Sequence, residues 1–170
     1  MNLAIPDNKV RAIIDREQSF LLVRTRKSED KWTLVGGSIQ YGVHDEFLKM
    51  KMRKDLGTIL PVRGLIDRFC IPSSGHAHIT LFSAYAPNTI NIQQGRDTLQ
   101  YKFFSFTEWN GLGREGQTGQ TFTTLNHLKN IGYFSLVFSL PRIFSNLREY
   151  SHNLDLSNGI PKCNYRPRTS

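Results

Sequence analysis

The stretch from Gly36 to Gly57, GGSIQYGVHDEFLKMKMRKDLG, constrains this chain more than any other. Two adjacent glycines open a short polar loop, which runs into an amphipathic segment closed by another glycine. Leu48, Met52 and Leu56 fall at i, i+4 and i+8 and form one apolar stripe. Asp45 and Glu46 stand in the first turn, where the helix dipole favours anions. Arg53 and Lys54 stand in the last, where it favours cations. The spacing predicts a helix over His44 to Leu56, with Gly57 suited to its C-terminal cap. A Gly-Gly loop entering a helix also lets backbone N–H groups approach an anion.

Strand signals surround this unit. Val10 to Asp15 and Ser19 to Thr25 read as strands joined by the polar turn Arg16-Glu17-Gln18, which predicts a hairpin. Trp32 to Val35 is a short β-prone run that Gly36 and Gly37 are expected to break. Val62 to Ile71 and His76 to Ala86 read as a further pair, and Gln100 to Phe106 as another strand. Thr107-Glu108-Trp109 reads as a helix start with Thr107 as cap. Gly111 to Gly119 holds four glycines and reads as a flexible loop or lid. Helical patterns follow over Thr121 to Phe134 and Ser139 to Tyr150, then a polar, basic, irregular tail from Ser151.

At 170 residues, with 39% hydrophobic and 21% charged residues, the chain suits one globular domain with an appendage. Its formal net charge of +8 favours polyanionic partners such as nucleotides, RNA, DNA or an anionic membrane surface. Two cysteines, Cys70 and Cys163, make neither a zinc motif nor a disulfide framework. Cys70 reads as a small buried hydrophobe, and a reducing compartment is expected. The N-terminus lacks a charged-then-apolar leader layout, and the longest apolar run is too short to span a bilayer. The expectation is a cytoplasmic protein with no transmembrane segment.

The order of elements, together with Trp32-Thr33-Leu34-Val35-Gly36-Gly37, Ser38-Ile39-Gln40-Tyr41-Gly42 and Phe103 to Trp109, resembles the Nudix hydrolases, which cleave nucleoside diphosphates linked to another group. The resemblance runs over residues 8–135. It implies an α/β fold, a Nudix-like α/β/α sandwich with a mixed β-sheet, here with a C-terminal helical extension. Residues 1–135 would form that domain, and 136–170 a C-terminal helix and basic tail. The run Gly37-x-x-Gln40, and Asp55-Leu56-Gly57 with Pro61, is locally similar to the GDP-mannose mannosyl hydrolase branch.

Family members carry glutamates on one face of the box helix, where they hold Mg²⁺ or Mn²⁺. Hard oxygen ligands collect hard cations, which neutralise the diphosphate and activate water. In this chain Gly37 to Gly57 is one residue short of the family spacing. Counted back from Gly57, Met50-Lys51 replaces Arg-Glu and Lys54-Asp55 replaces Glu-Glu. Counted forward from Gly37, Val43 takes the place of the first Glu, Lys51-Met52 replaces Arg-Glu and Asp55-Leu56 replaces Glu-Glu. Both registers leave Asp55 as the one carboxylate of the metal set. Unit charges 4 Å apart interact by about 1 kcal/mol in water and about 4 kcal/mol at an effective dielectric of 20, so lysines here repel a cation. The resemblance therefore implies a degenerate box, in which metal-dependent hydrolysis is lost or weakened.

Lys51 and Lys54 either face solvent or meet phosphate oxygens in place of the metal, alongside Gly36 and Gly37. Glu108 or Glu115 could supply a base from outside the box. His76 and His78 share one side of a strand and could ligate a metal or act as a base, and His78 is a candidate for nucleotide binding. Arg11 and Arg24 alternate with apolar residues and could line a cleft. The aromatic set Tyr101, Phe103, Phe104, Phe106 and Trp109 is mostly core, with room for one base-stacking member. Three functions follow. The first is a nucleotide or nucleic-acid phosphate binder with a degenerate box. The second is an active Mg²⁺- or Mn²⁺-dependent hydrolase of a nucleoside diphosphate derivative such as a nucleotide sugar. The third is a structural subunit of an RNA–protein assembly.

Overall fold

The computed structural model describes residues 7–28, 30–40, 42–72 and 77–138. The predicted helix over Ser139 to Tyr150, the tail and His76 lie outside these residues. Among the described residues, six strands and four helices follow in the order β1 (Asn8–Arg16), β2 (Ser19–Thr25), β3 (Val35–Ser38), α1 (His44–Leu56), β4 (Val62–Ile71), β5 (Ala77–Tyr85), β6 (Thr98–Ser105), α2 (Phe106–Gly111), α3 (Gly119–Asn130) and α4 (Tyr133–Phe138). One sheet runs β4-β5-β1-β2-β6, with β3 also on β1. It is mixed: β1 lies parallel to β5 and antiparallel to β2 and β3.

Alternation along β1 separates two cores. Val10, Ala12 and Ile14 pack with Leu48, Met52 and Leu56 of α1. Ile13, pointing the other way, packs with Trp109 of α2, and with Leu125 and Leu128 of α3. The sheet is therefore the middle layer of an α/β/α sandwich. The second core is aromatic, with Phe20, Trp32, Phe104, Trp109 and Phe134 in one cluster. Phe104 and Trp109, two of the aromatic set, are thus buried.

The β1–β2 hairpin is real but brief, paired only at Asp15–Phe20 and Arg16–Ser19. Beyond that the strands part. The Trp32 to Ser38 segment runs between them, bonding Thr33 to Val23 on one side and Val35 to Gly37 with β1 on the other. The Gly-Gly pair does not break this strand, as the sequence reading expected; it continues it. Gly36 pairs with Arg11 at φ 143°, and a Cβ there would lie 2.0 Å from the Val10 carbonyl oxygen. Glycine is required because two backbones meet, not because the chain turns.

Three further expectations change. Ser105, not Thr107, caps α2: its hydroxyl accepts from Glu108 N while the Glu108 carboxylate accepts from Ser105 N. The glycine-rich segment after α2 is pinned rather than lid-like. Gln117 is buried, accepts from Trp109 Nε1 at 2.8 Å and donates to the Gly113 carbonyl at 2.8 Å. Trp32 and Thr118 complete the attachment through backbone hydrogen bonds. Cys70, expected to be a buried hydrophobe, is only half-buried, with its Sγ 3.4 Å from His78 Nδ1.

Candidate functional site

Helix α1 follows its sequence signals. Its apolar stripe is buried, and Gly57 closes it with φ 67° and an N–H donated to the Arg53 carbonyl. The loop before β6 then folds over the end of α1. Gln93 N donates to the Leu56 carbonyl and Gly95 N to the Asp55 carbonyl, each at 3.1 Å. The approach is so close that a Cβ on Gly95 would lie 2.1 Å from the Lys54 carbonyl oxygen.

A cleft of about 590 Å³ is lined by α1, β1, β2, β3, this loop and the start of α3. It brings together most of the residues singled out in the sequence: Arg11, Gly36, Gly37, Lys51, Lys54 and Asp55. Lys9, Arg26 and Lys27 add three more cationic side chains, and Asp97 adds a second carboxylate. The helix places Lys51, Lys54 and Asp55 at i, i+3 and i+4, so all three reach one side of α1.

The charges are arranged in pairs. Asp55 is 3% exposed. Lys51 Nζ stands 3.5 Å from its Oδ1, an ion pair too long for a good hydrogen bond. Burial raises the Asp55 carboxyl above the ordinary carboxylate range, against the opposing pull of Lys51 and Lys54. Lys54 meets Asp97 at 2.7 Å; this hydrogen bond raises the lysine and lowers the aspartic acid. Arg11 donates to Gln120 Oε1 at 2.6 Å and to the Leu34 carbonyl at 3.2 Å. Burial pushes its guanidinium down to about 10, with Asp55 and Asp7 pulling it back up. Lys9 donates to Ser38 Oγ at 2.6 Å and pairs with Asp7 at 2.8 Å. Arg26 and Lys27 are exposed on a turn fixed by reciprocal Thr25–Ser28 hydrogen bonds.

Three candidates fall elsewhere. Arg24 lies with its guanidinium over the Trp32 ring at 4.5 Å and donates to Gln100. Val23 and Thr25, its neighbours on β2, line the cleft instead, because successive strand residues point to opposite faces. Glu108 is held in the α2 capping box and by Lys102 Nζ at 3.2 Å. His78 contacts Cys70 Sγ at 3.4 Å. None of these three, nor Glu115, lines the cleft.

The donor set does not suit the divalent ions of the resembling family. Both cleft carboxylates are already ion-paired to lysines of α1. Among the described residues, no three His, Cys, Asp or Glu side chains come together as a metal group. What the arrangement can do is meet an anion: among the described residues, six cationic side chains and two carboxylates line the cleft.

Solved structures share the fold. The chain is similar to a Nudix hydrolase from Nitrosomonas europaea, with 15% identity, 72% of this chain and 87% of that one covered, and a TM-score of 0.58. It is similar to a UDP-X diphosphatase at 21% identity, with 76% and 66% covered and a TM-score of 0.59. It also matches a bifunctional NMN adenylyltransferase/ADP ribose pyrophosphatase from Francisella tularensis, complexed with AMP and a manganese ion. There the identity is 15%, coverage 76% and 43%, and the TM-score 0.61. The chain has the Nudix fold. No protein-family model matches its sequence, and no curated protein does. Among the described residues, no helix is long and apolar enough to cross a membrane.

Proposed function

We propose that this cleft binds the diphosphate group of a nucleotide derivative directly through Lys51, Lys54 and Arg11, without a metal, and that hydrolysis is lost or weakened. One observation carries the reading: each carboxylate in the cleft is ion-paired to a lysine of the helix that, by resemblance, would hold the metal. The neighbouring folds support the ligand class. One is a UDP-X diphosphatase, and another an ADP ribose pyrophosphatase complexed with AMP. Lysine acts on phosphate as a point charge and needs no ion between.

A second reading keeps the hydrolase. Asp97 brings a second carboxylate near Asp55, close enough to raise it, and Mg²⁺ is often held by one or two carboxylates plus substrate phosphates. Calorimetric titration with ADP-ribose and a nucleotide sugar, run in EDTA and again with Mg²⁺ or Mn²⁺, separates the two. The first reading expects saturable binding in EDTA, loss of that binding in Lys51→Glu, and no turnover with either ion. Metal-dependent turnover abolished in Asp55→Ala would establish the second. Unchanged binding in Lys51→Glu would show that the site is wrongly assigned.

A further inference from the structure

Asp55 has no role in direct phosphate binding, yet it sits almost fully buried among the cationic side chains that would do it. Lys51 is 3.5 Å away. Lys54 and Asp97 act on it from α1 and from the loop before β6, and it acts in turn on Arg11 of β1. No hydrogen bond to Oδ1 is seen among the described residues; the Lys51 ion pair, four residues back on the same helix, is a loose one. Asp55 lines the cleft itself.

We infer that Asp55 is a specificity-determining residue, a built-in counter-anion that grades ligands by charge. The inference rests on the reading of the cleft as an anion site. A fixed negative charge beside bound phosphate repels it in proportion to the charge the phosphate carries. With Asp55 in place, the cleft favours a diphosphate diester, whose charge is lowest, over free ADP and then ATP. Burial makes this effect strong, since a group removed from water is little screened by salt. Asp97 has the same sign but is 37% exposed at its side chain, so its effect is weaker.

Asp55→Asn removes the charge and keeps the shape. Affinities of the wild type and Asp55→Asn for ADP-ribose, ADP and ATP, measured in EDTA at neutral pH, test the inference. The variant should bind all three more tightly, by about fivefold for each negative charge on the ligand. The gain is then smallest for ADP-ribose and largest for ATP. Asp97→Asn should give the same order with smaller gains, and it decides the matter if Asp55→Asn does not fold. Equal gains for the three ligands, or weaker binding by the variants, would overturn the inference and leave the anion site standing. Binding of none of the ligands by any of the proteins would overturn both.

Discussion

On the α2–α3 side of the sheet, polar side chains answer one another: Trp109 Nε1 donates to Gln117, Thr33 meets Thr121, and Ser105 and Glu108 form a capping box. Around the cleft, by contrast, cations outnumber carboxylates, and Arg26 and Lys27 have no carboxylate partner among the described residues. The first region is packed with aromatic rings. The second keeps a surplus of one sign facing a space large enough for a ligand. A titratable or cationic residue therefore says little by its type alone. Glu108 and Arg24 have the same chemistry as Asp55 and Arg11, but neither lines the cleft.

The largest effects should come where the cleft meets the fold. Gly36→Ala puts a Cβ against the Val10 carbonyl at a φ that favours glycine. It should cost at least about 4 kcal/mol in chemical denaturation, whereas Gly37→Ala, whose Cβ would meet the Phe47 ring edge at 3.3 Å, should cost far less. A similar loss at the two positions would remove the distinction between a structural and a permissive glycine. On the closed side, Trp109→Ala should cost about 3–5 kcal/mol. The folded fraction should still bind diphosphate ligands with unchanged affinity; a binding defect would mean that the two regions are not independent.

Lys51→Glu should lower the ligand affinity of the folded protein by about tenfold or more, and it also destabilises the fold, because the buried Asp55 carboxylate then faces a like charge. The smallest effect belongs to the cap. Ser105→Ala should cost about 1 kcal/mol in thermal or urea unfolding and leave binding alone. Glu108 accepts from the Ser105 N–H and pairs with Lys102, which hold its carboxyl below the ordinary value of 4.5. A depressed acid stabilises the fold above its unfolded pKa. That contribution should fade as pH falls below about 4.5 through the folded value, and Glu108→Gln should flatten this part of the pH profile.

Much of the fold was legible in local pattern. Helix α1 followed from apolar spacing, charged ends and a closing glycine, all within one segment. The strands β1, β2, β4, β5 and β6 followed from β-prone runs. The Gly-Gly pair was misread because its cause is β1, far away in sequence. The cap of α2 was misplaced although Ser105-x-x-Glu108 carries the local signature. Of the candidate site, the part on α1 was legible, because three residues of one helix turn share a side. Asp97 was missed: it reaches Lys54 only because Gly95 lets its loop close on the helix end, and no local signal marks that. Arg24 lies off the cleft, because on β2 its neighbours Val23 and Thr25 face it instead.

The central claim is that lysines of α1 take the place of a metal. Titration of the wild-type protein with Mn²⁺, followed by the electron paramagnetic resonance of the free ion, tests it most directly. The account predicts no saturable Mn²⁺ binding, with or without ADP-ribose present. A saturable site that is strengthened by ADP-ribose and lost in Asp55→Ala would contradict it.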